Sequence, residues 1–166
     1  MKKLLSILLV VLLAMVMVVS VVGAKGKDRD KFDDRDKREW ALKKVEKATE
    51  KYKDVNKAIR DGYAPAGPYV GGMGFHYGTE EVLSGNVDAN VDALKPEILV
   101  YAPGKNGELQ LVAVEYVSTN PNSLFGRTFD GPHGIPWHSL HAWIYKHNPA
   151  GILTGMNPRI PATLEE

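Results

Sequence analysis

A carboxylate in the middle of an apolar stretch is the first residue that could do chemistry. Glu115 interrupts the run LVAVEYV at residues 111–117. An unpaired charge is very costly to bury, so a glutamate inside such a strand must be paired with a cation, protonated or bound to a metal. Arg127 and Arg159 are the candidate cations, because residues 62–166 contain few basic side chains. A buried glutamate–arginine pair is therefore one interpretation.

Histidines supply a second set of candidate groups. His141 lies in the run LHAWIY, where strand alternation places it on the same face as Trp143. His76 lies in the glycine-rich run GMGFHY, and His133 and His138 come shortly before His141. A lone imidazole among aromatic residues is more often a hydrogen-bonded core residue than a ligand. Here, however, four of the five histidines lie in these segments.

Together these groups predict a single transition-metal site. Two or three imidazoles and one carboxylate on neighbouring strands suit Zn²⁺, Fe²⁺, Mn²⁺ or Cu²⁺, and a chain without cysteine has no thiolate to offer. We predict His76, Glu115 and His141 as ligands, with His138 or His133 as a fourth. His138 ranks lower because residues three apart on a straight strand point to opposite faces.

The surroundings of the site and its chemistry are less constrained. We expect Asp130, Tyr77 or Trp143 to lie around the ligands. An open coordination position would allow a metal-activated water to act in hydrolysis or oxygenation, but the sequence predicts neither a substrate pocket nor an enzyme class. The alternative is a non-catalytic structural or small-ligand-binding module, in which Glu115 and the histidines form a buried polar network.

Composition and charge argue against several other classes. The chain has 21 Lys and Arg against 20 Asp and Glu and no cysteine, which excludes disulfide frameworks, iron–sulfur clusters and thiol nucleophiles. A formal net charge of +1 argues against a nucleic-acid binder. Residues 64–78 are rich in glycine and proline, but no predicted helix follows them as a phosphate loop requires. We therefore expect no nucleotide cofactor.

The elements that must position these residues predict an α+β fold. From about Arg38 to Asp61 apolar residues recur at steps of three and four, which predicts one long amphipathic helix, and Gly62 is placed to cap it in the left-handed conformation. The body of the chain predicts short strands, two of them joined by an Asn-Gly turn. We predict that the helix packs on a small antiparallel β-sheet with long ordered loops. The apolar stripe is Ala41, Val45, Ala48, Tyr52, Val55 and Ile59, and the strands are residues 74–77, 97–101, 108–117 and 139–145.

The N-terminal segment predicts export. Lys2 and Lys3 precede an apolar run at residues 4–22, and the small residues of the stretch 22–24 follow, as in a secretory signal peptide of residues 1–24. An uncleaved anchor is the alternative, because the run approaches the roughly 20 residues that span a bilayer. In both cases the rest of the chain is expected outside the cytoplasmic membrane, secreted or held there by this segment alone.

The mature chain divides by composition. Residues 25–37, KGKDRDKFDDRDK, are almost entirely charged with both signs, so they bury too little apolar surface to offset the entropy of ordering them. We predict a flexible spacer there, and a single α+β domain over residues 38–166.

The chain contains a set of distinctive short motifs, which are GMGFHY from Gly72, LVAVEY from Leu111, SLFG from Ser123, FDGP from Phe129, LHAW from Leu140 and NPAG from Asn148. Together these motifs resemble a family of exported bacterial and archaeal proteins of uncharacterised activity. The resemblance covers roughly residues 41–160 and implies export and a single compact domain. It brings no activity or ligand set. Relatives often carry a cysteine within the stretch equivalent to residues 66–72, and this chain has none.

Overall fold

The structure is a computed structural model that describes residues 26–164. The predicted signal peptide, residues 1–24, lies outside the described residues. Within them, no helix is long and apolar enough to cross a membrane. The chain separates into two compact units, one ending at Lys37 and one beginning at Arg38. The second unit contains every predicted ligand.

The helical region is longer and less regular than the apolar stripe predicts. The first helix, α1, already begins at Gly26, so the backbone of residues 26–37 is helical where the mixed charge predicts a flexible spacer. Acid–base pairs four residues apart support that helix, for example Lys43 with Glu39 at 2.9 Å. The helical segments are α1 (Gly26–Thr49), a 3₁₀ turn (Glu50–Lys53), α2 (Val55–Arg60) and α3 (Glu80–Ser84).

The prediction of one continuous helix from 38 to 61 is wrong at Asp54. Asp54 is extended, and its side chain accepts a hydrogen bond from the backbone N–H of Asn56 at 3.0 Å, so it caps a new helix. The interruption changes the helical phase. As a result Ala58 is fully buried and Ile59, predicted on the apolar stripe, is 50% exposed. Gly62 is left-handed as predicted, with φ of 97°.

The strands confirm the predicted α+β fold with an antiparallel sheet. Five strands form one sheet, and they are β1 (Ala64–Pro65), β2 (Phe75–Gly78), β3 (Ile98–Pro103), β4 (Leu109–Ser118) and β7 (His138–Ala142), while β5 (Ser123–Leu124) with β6 (Arg127–Thr128) forms a small hairpin. The order in the sheet is β1-β2-β3-β4-β7, and every neighbouring pair is antiparallel. The last strand ends at Ala142, three residues earlier than predicted.

The sheet has an apolar cluster on each face, because successive residues of a strand point to opposite sides. The first cluster, which we call the helix face, includes Leu42 and Val45 of α1 packed with residues of β3, β4 and β7. The second cluster, the loop face, is covered by Val82 of α3 and by Ile160 of the C-terminal segment. Both faces of β4 are therefore buried, which accounts for its nearly continuous apolar sequence.

Candidate metal centre

Strand pairing brings three of the predicted ligands to the loop face. His141 on β7 lies directly opposite Glu115 on β4. His76 on β2 lies opposite Val100 on β3, and Val100 lies opposite Ala113, two residues before Glu115. Residues in such cross-strand positions point to the same side of a sheet. The register alone thus places the three side chains together, although they come from strands far apart in sequence.

The three side chains form one compact group. Nε2 of His76 lies 3.5 Å from Oε2 of Glu115, and Nε2 of His141 lies 3.6 Å from the same oxygen. One potential ligand atom from each residue lies within 4.8 Å of the other two. The His141 and Glu115 side chains are each only 4% exposed. Both N–O distances are longer than those of good hydrogen bonds, so the two imidazole nitrogens approach the carboxylate oxygen without bonding strongly to it.

Burial determines the electrostatics of this group. Desolvation lowers the pKa of His141 to about 4, although the nearby Asp130 carboxylate opposes the shift. Desolvation also lowers the pKa of His76, against the attraction of Glu115. It raises the pKa of Glu115, against His76 and a hydrogen bond from Ser139. Both imidazoles are therefore neutral at neutral pH, which is the form that binds metals.

Neighbouring groups fix the two rings. The His76 ring donates a hydrogen bond to the backbone carbonyl of Gly74. Gly74 has φ of 124°, and a Cβ there would lie 2.3 Å from the carbonyl oxygen of Tyr101, so the position requires glycine. The Trp143 ring stacks on His141 at 5.8 Å between centroids. Such outer contacts orient imidazole ligands in metal sites.

One atom of the group has no partner. Nε2 of His141 is buried and forms no hydrogen bond. Most buried polar atoms in native proteins are satisfied, so this exception needs an explanation. A metal ion held between His141, Glu115 and His76 would supply the missing partner.

The other two predicted histidines are not in the group. His138 lies opposite Ser118, which places it on the helix side of the sheet, as the alternation along the strand requires. His133 is exposed in the loop before β7. The structure therefore does not bring either residue to the three ligands.

The interpretation of Glu115 as part of a glutamate–arginine pair is wrong. Arg127 instead bonds Asp130 at 2.9 Å, and Arg159 is exposed. Among the described residues, the basic side chains within 4.0 Å of the Glu115 carboxylate are those of the two histidines. Glu115 therefore has no permanently charged partner among the described residues, because an imidazole carries a charge only when it is protonated.

Of the residues expected around the site, two are close to it. Trp143 stacks on His141, and Asp130 pairs with Ser139 through two backbone hydrogen bonds of 2.8 and 3.0 Å. Tyr77 is not there. It lies opposite Leu99 on the helix face, because it is adjacent to His76 on the strand and so points the other way.

Sequence reasoning missed two contributors, Ser139 and Gly74. Ser139 donates to Glu115 and lies two residues before His141, so strand alternation could have placed it on the ligand face. Gly74 lies two residues before His76, but only the approach of Tyr101 in the folded sheet shows why it must be glycine.

Comparison with known proteins adds no family or activity: no protein-family model, no curated protein and no solved structure matches the chain.

Proposed function

We propose that this protein is an exported domain that binds one transition-metal ion through His76, Glu115 and His141. The unsatisfied, buried Nε2 of His141 carries the proposal. That nitrogen faces the carboxylate oxygen of Glu115, which the second imidazole also faces. A buried polar atom without a partner costs stability, and coordination would remove the cost.

The separations support the same proposal. Ligand atoms bound to a tetrahedral ion at about 2.0–2.2 Å lie roughly 3.3–3.6 Å apart. The two His–Glu separations, 3.5 and 3.6 Å, fall in that range. With two nitrogen donors, one oxygen donor and no sulfur, the set suits Zn²⁺, Fe²⁺, Mn²⁺ or Cu²⁺ rather than a metal that requires thiolates.

Export is supported by the sequence pattern. Residues 1–24 have the basic, apolar and small-residue segments of a signal peptide, and the family resemblance implies the same location. Nitrogen and oxygen ligands also suit an oxidising compartment, in which exposed thiolates would be lost to disulfides.

Elemental analysis of the protein, exported by its own signal and purified without a histidine tag, tests the proposal. We expect about one equivalent of metal in the native protein and almost none in His141→Ala or Glu115→Gln. His133→Ala is the matched control, because it removes an exposed imidazole and should keep the metal. His138→Ala should also keep it, since His138 lies on the other face.

A folded native protein with no stoichiometric metal, even after reconstitution with each of the four ions, would contradict the proposal. The group would then be a buried polar network that fixes the fold, the role that the Ser139 hydrogen bond to Glu115 favours. In that case Glu115→Gln should lower the free energy of unfolding by roughly 1–3 kcal/mol, and chelators should not change the melting of the native protein.

A further inference from the structure

A second candidate site lies away from the metal ligands. A cavity of about 1080 Å³ opens between the end of α1, the loop before β3 and the β5–β6 hairpin. Its volume slightly exceeds the roughly 300–1,000 Å³ of typical small-molecule sites. The wall has apolar and aromatic parts and several carboxylates, of which Glu97 is half-buried. The lining includes Tyr63, Val91, Glu97 and Leu124.

Among residues 26–164, the carboxylate of Glu97 has no cationic partner. Its Oε2 accepts a hydrogen bond from the backbone N–H of Val117 at 3.2 Å. In the described part of the chain, no ion pair to Glu97 lies within 4.0 Å. The two lysines of the wall have other acids: Lys51 pairs with Asp61, and Lys95 lies 4.0 Å from Asp92.

The groups around Glu97 do not replace that cation. Burial raises the pKa of Glu97 to about 7, against hydrogen bonds from its own backbone N–H and that of Val117, and Asp88 and Asp92 add to the increase. The Tyr63 hydroxyl donates to the carbonyl of Pro96, and the Tyr116 hydroxyl donates to the carbonyl of Ala93. The nearby phenols therefore point their protons elsewhere. When Glu97 is ionised, no positive charge among the described residues compensates it.

We infer that this cavity binds a small organic cation, with a primary ammonium group on Glu97 and an apolar chain against Val91 and Leu124. Buried charges in proteins are normally paired, and an ammonium group would pair this one. The apolar and tyrosine-lined wall suits a carbon chain. A bare Ca²⁺ ion would instead require six or more oxygen ligands at 2.3–2.6 Å and would leave most of the volume unused.

Calorimetric titration of the full-length protein with hexylammonium tests the inference, with hexanol, hexanoate and Ca²⁺ as comparison probes. We expect hexylammonium to bind and hexanol and hexanoate to bind far more weakly. Glu97→Gln should weaken hexylammonium binding about tenfold or more, because it removes the charge and keeps the shape. Glu81→Gln is the matched control: it removes an exposed carboxylate of the same wall and should change the affinity less than about twofold.

A second measurement does not depend on any variant. The Val117 amide donates to Glu97, so its NMR signal should shift on titration of the native protein with hexylammonium and not with hexanol. Binding of hexanol as tight as that of hexylammonium, an unmoved Val117 signal, or binding of Ca²⁺ alone would each overturn the inference. Loss of metal from the His–Glu group would not bear on it, because the two sites share no residue.

Discussion

Glu115 and Glu97 are two carboxylates removed from water in different surroundings. Glu115 lies on the loop face of the sheet, only 4% exposed, with imidazoles on two sides. Glu97 is half-buried at the wall of an open cavity, with Asp88 and Asp92 nearby and no cation within ion-pair distance in the described structure. Burial raises the pKa of both groups.

The difference shows that burial alone does not determine what a carboxylate binds. At Glu115 the neighbours are neutral donors arranged around one point, a geometry that suits a single ion. At Glu97 the neighbours are negative and the space beside it is large, which suits a cation with a carbon chain. A desolvation penalty of the same kind would thus be offset by a different partner at each site.

We expect the largest difference in stability between the two sites when a glycine beside each of them is replaced. Gly74 and Gly62 both have positive φ, 124° and 97°. A Cβ at Gly74 would lie 2.3 Å from the Tyr101 carbonyl oxygen, whereas a Cβ at Gly62 would meet nothing within 4 Å. Gly74→Ala should lower the free energy of unfolding by about 2–5 kcal/mol, from left-handed strain plus overpacking. Gly62→Ala, next to the cavity, should cost about 1–2 kcal/mol from strain alone.

Urea unfolding of the two variants measures this difference. Gly74→Ala should also weaken metal binding. The added Cβ would displace the backbone at residue 74, whose carbonyl accepts the hydrogen bond of the His76 ring. Gly62→Ala should leave metal content unchanged. Equal costs for the two substitutions would mean that the backbone near His76 is not as tightly packed as the structure shows.

The stability gained from bound metal should also distinguish the two carboxylates. An ion that binds only the folded state at a free concentration of about 100 times its Kd stabilises that state by about 2.7 kcal/mol. Denaturation with and without the bound metal should show this gain in the native protein and in Glu97→Gln. The gain should disappear in Glu115→Gln. A gain of the same size in Glu115→Gln would place the ion somewhere other than the His–Glu group.

Much of the fold follows from patterns of single segments. Apolar periodicity predicts the helix around Val45, and alternation predicts β3 and β4 with the turn between them. The interruption at Asp54 was missed because its cap competes with a periodicity that continues through Ile59. That competition is decided by the Asn56 hydrogen bond and by the burial of Ala58, neither of which an apolar stripe contains.

The candidate sites differ in how far sequence predicts them. His76, Glu115 and His141 could be predicted because polar residues in apolar strands are conspicuous, and a simple sheet register brings them together. Alternation likewise argues against His138. Glu97 is not conspicuous in the sequence, because it is the first residue of the predicted strand 97–101 and its role depends on the cavity formed by distant segments. Packing between segments, rather than any local pattern, makes it a candidate.

The pH dependence of stability gives the smallest of the three contrasts and is specific to Glu97. Its pKa is about 7 in the folded state against 4.5 ordinarily, so between those pH values the folded protein holds a proton that the unfolded chain has lost. The free energy of unfolding should therefore fall as pH rises from 4.5 to 7. We expect a fall of about 2 kcal/mol from this group, less than the full shift implies because Glu97 is partly exposed.

Subtracting the urea-denaturation profile of Glu97→Gln from that of the native protein, both metal-free, isolates the contribution, since the other titrating groups cancel. Parallel profiles would mean that Glu97 already has a compensating partner, and the contrast with Glu115 would no longer hold.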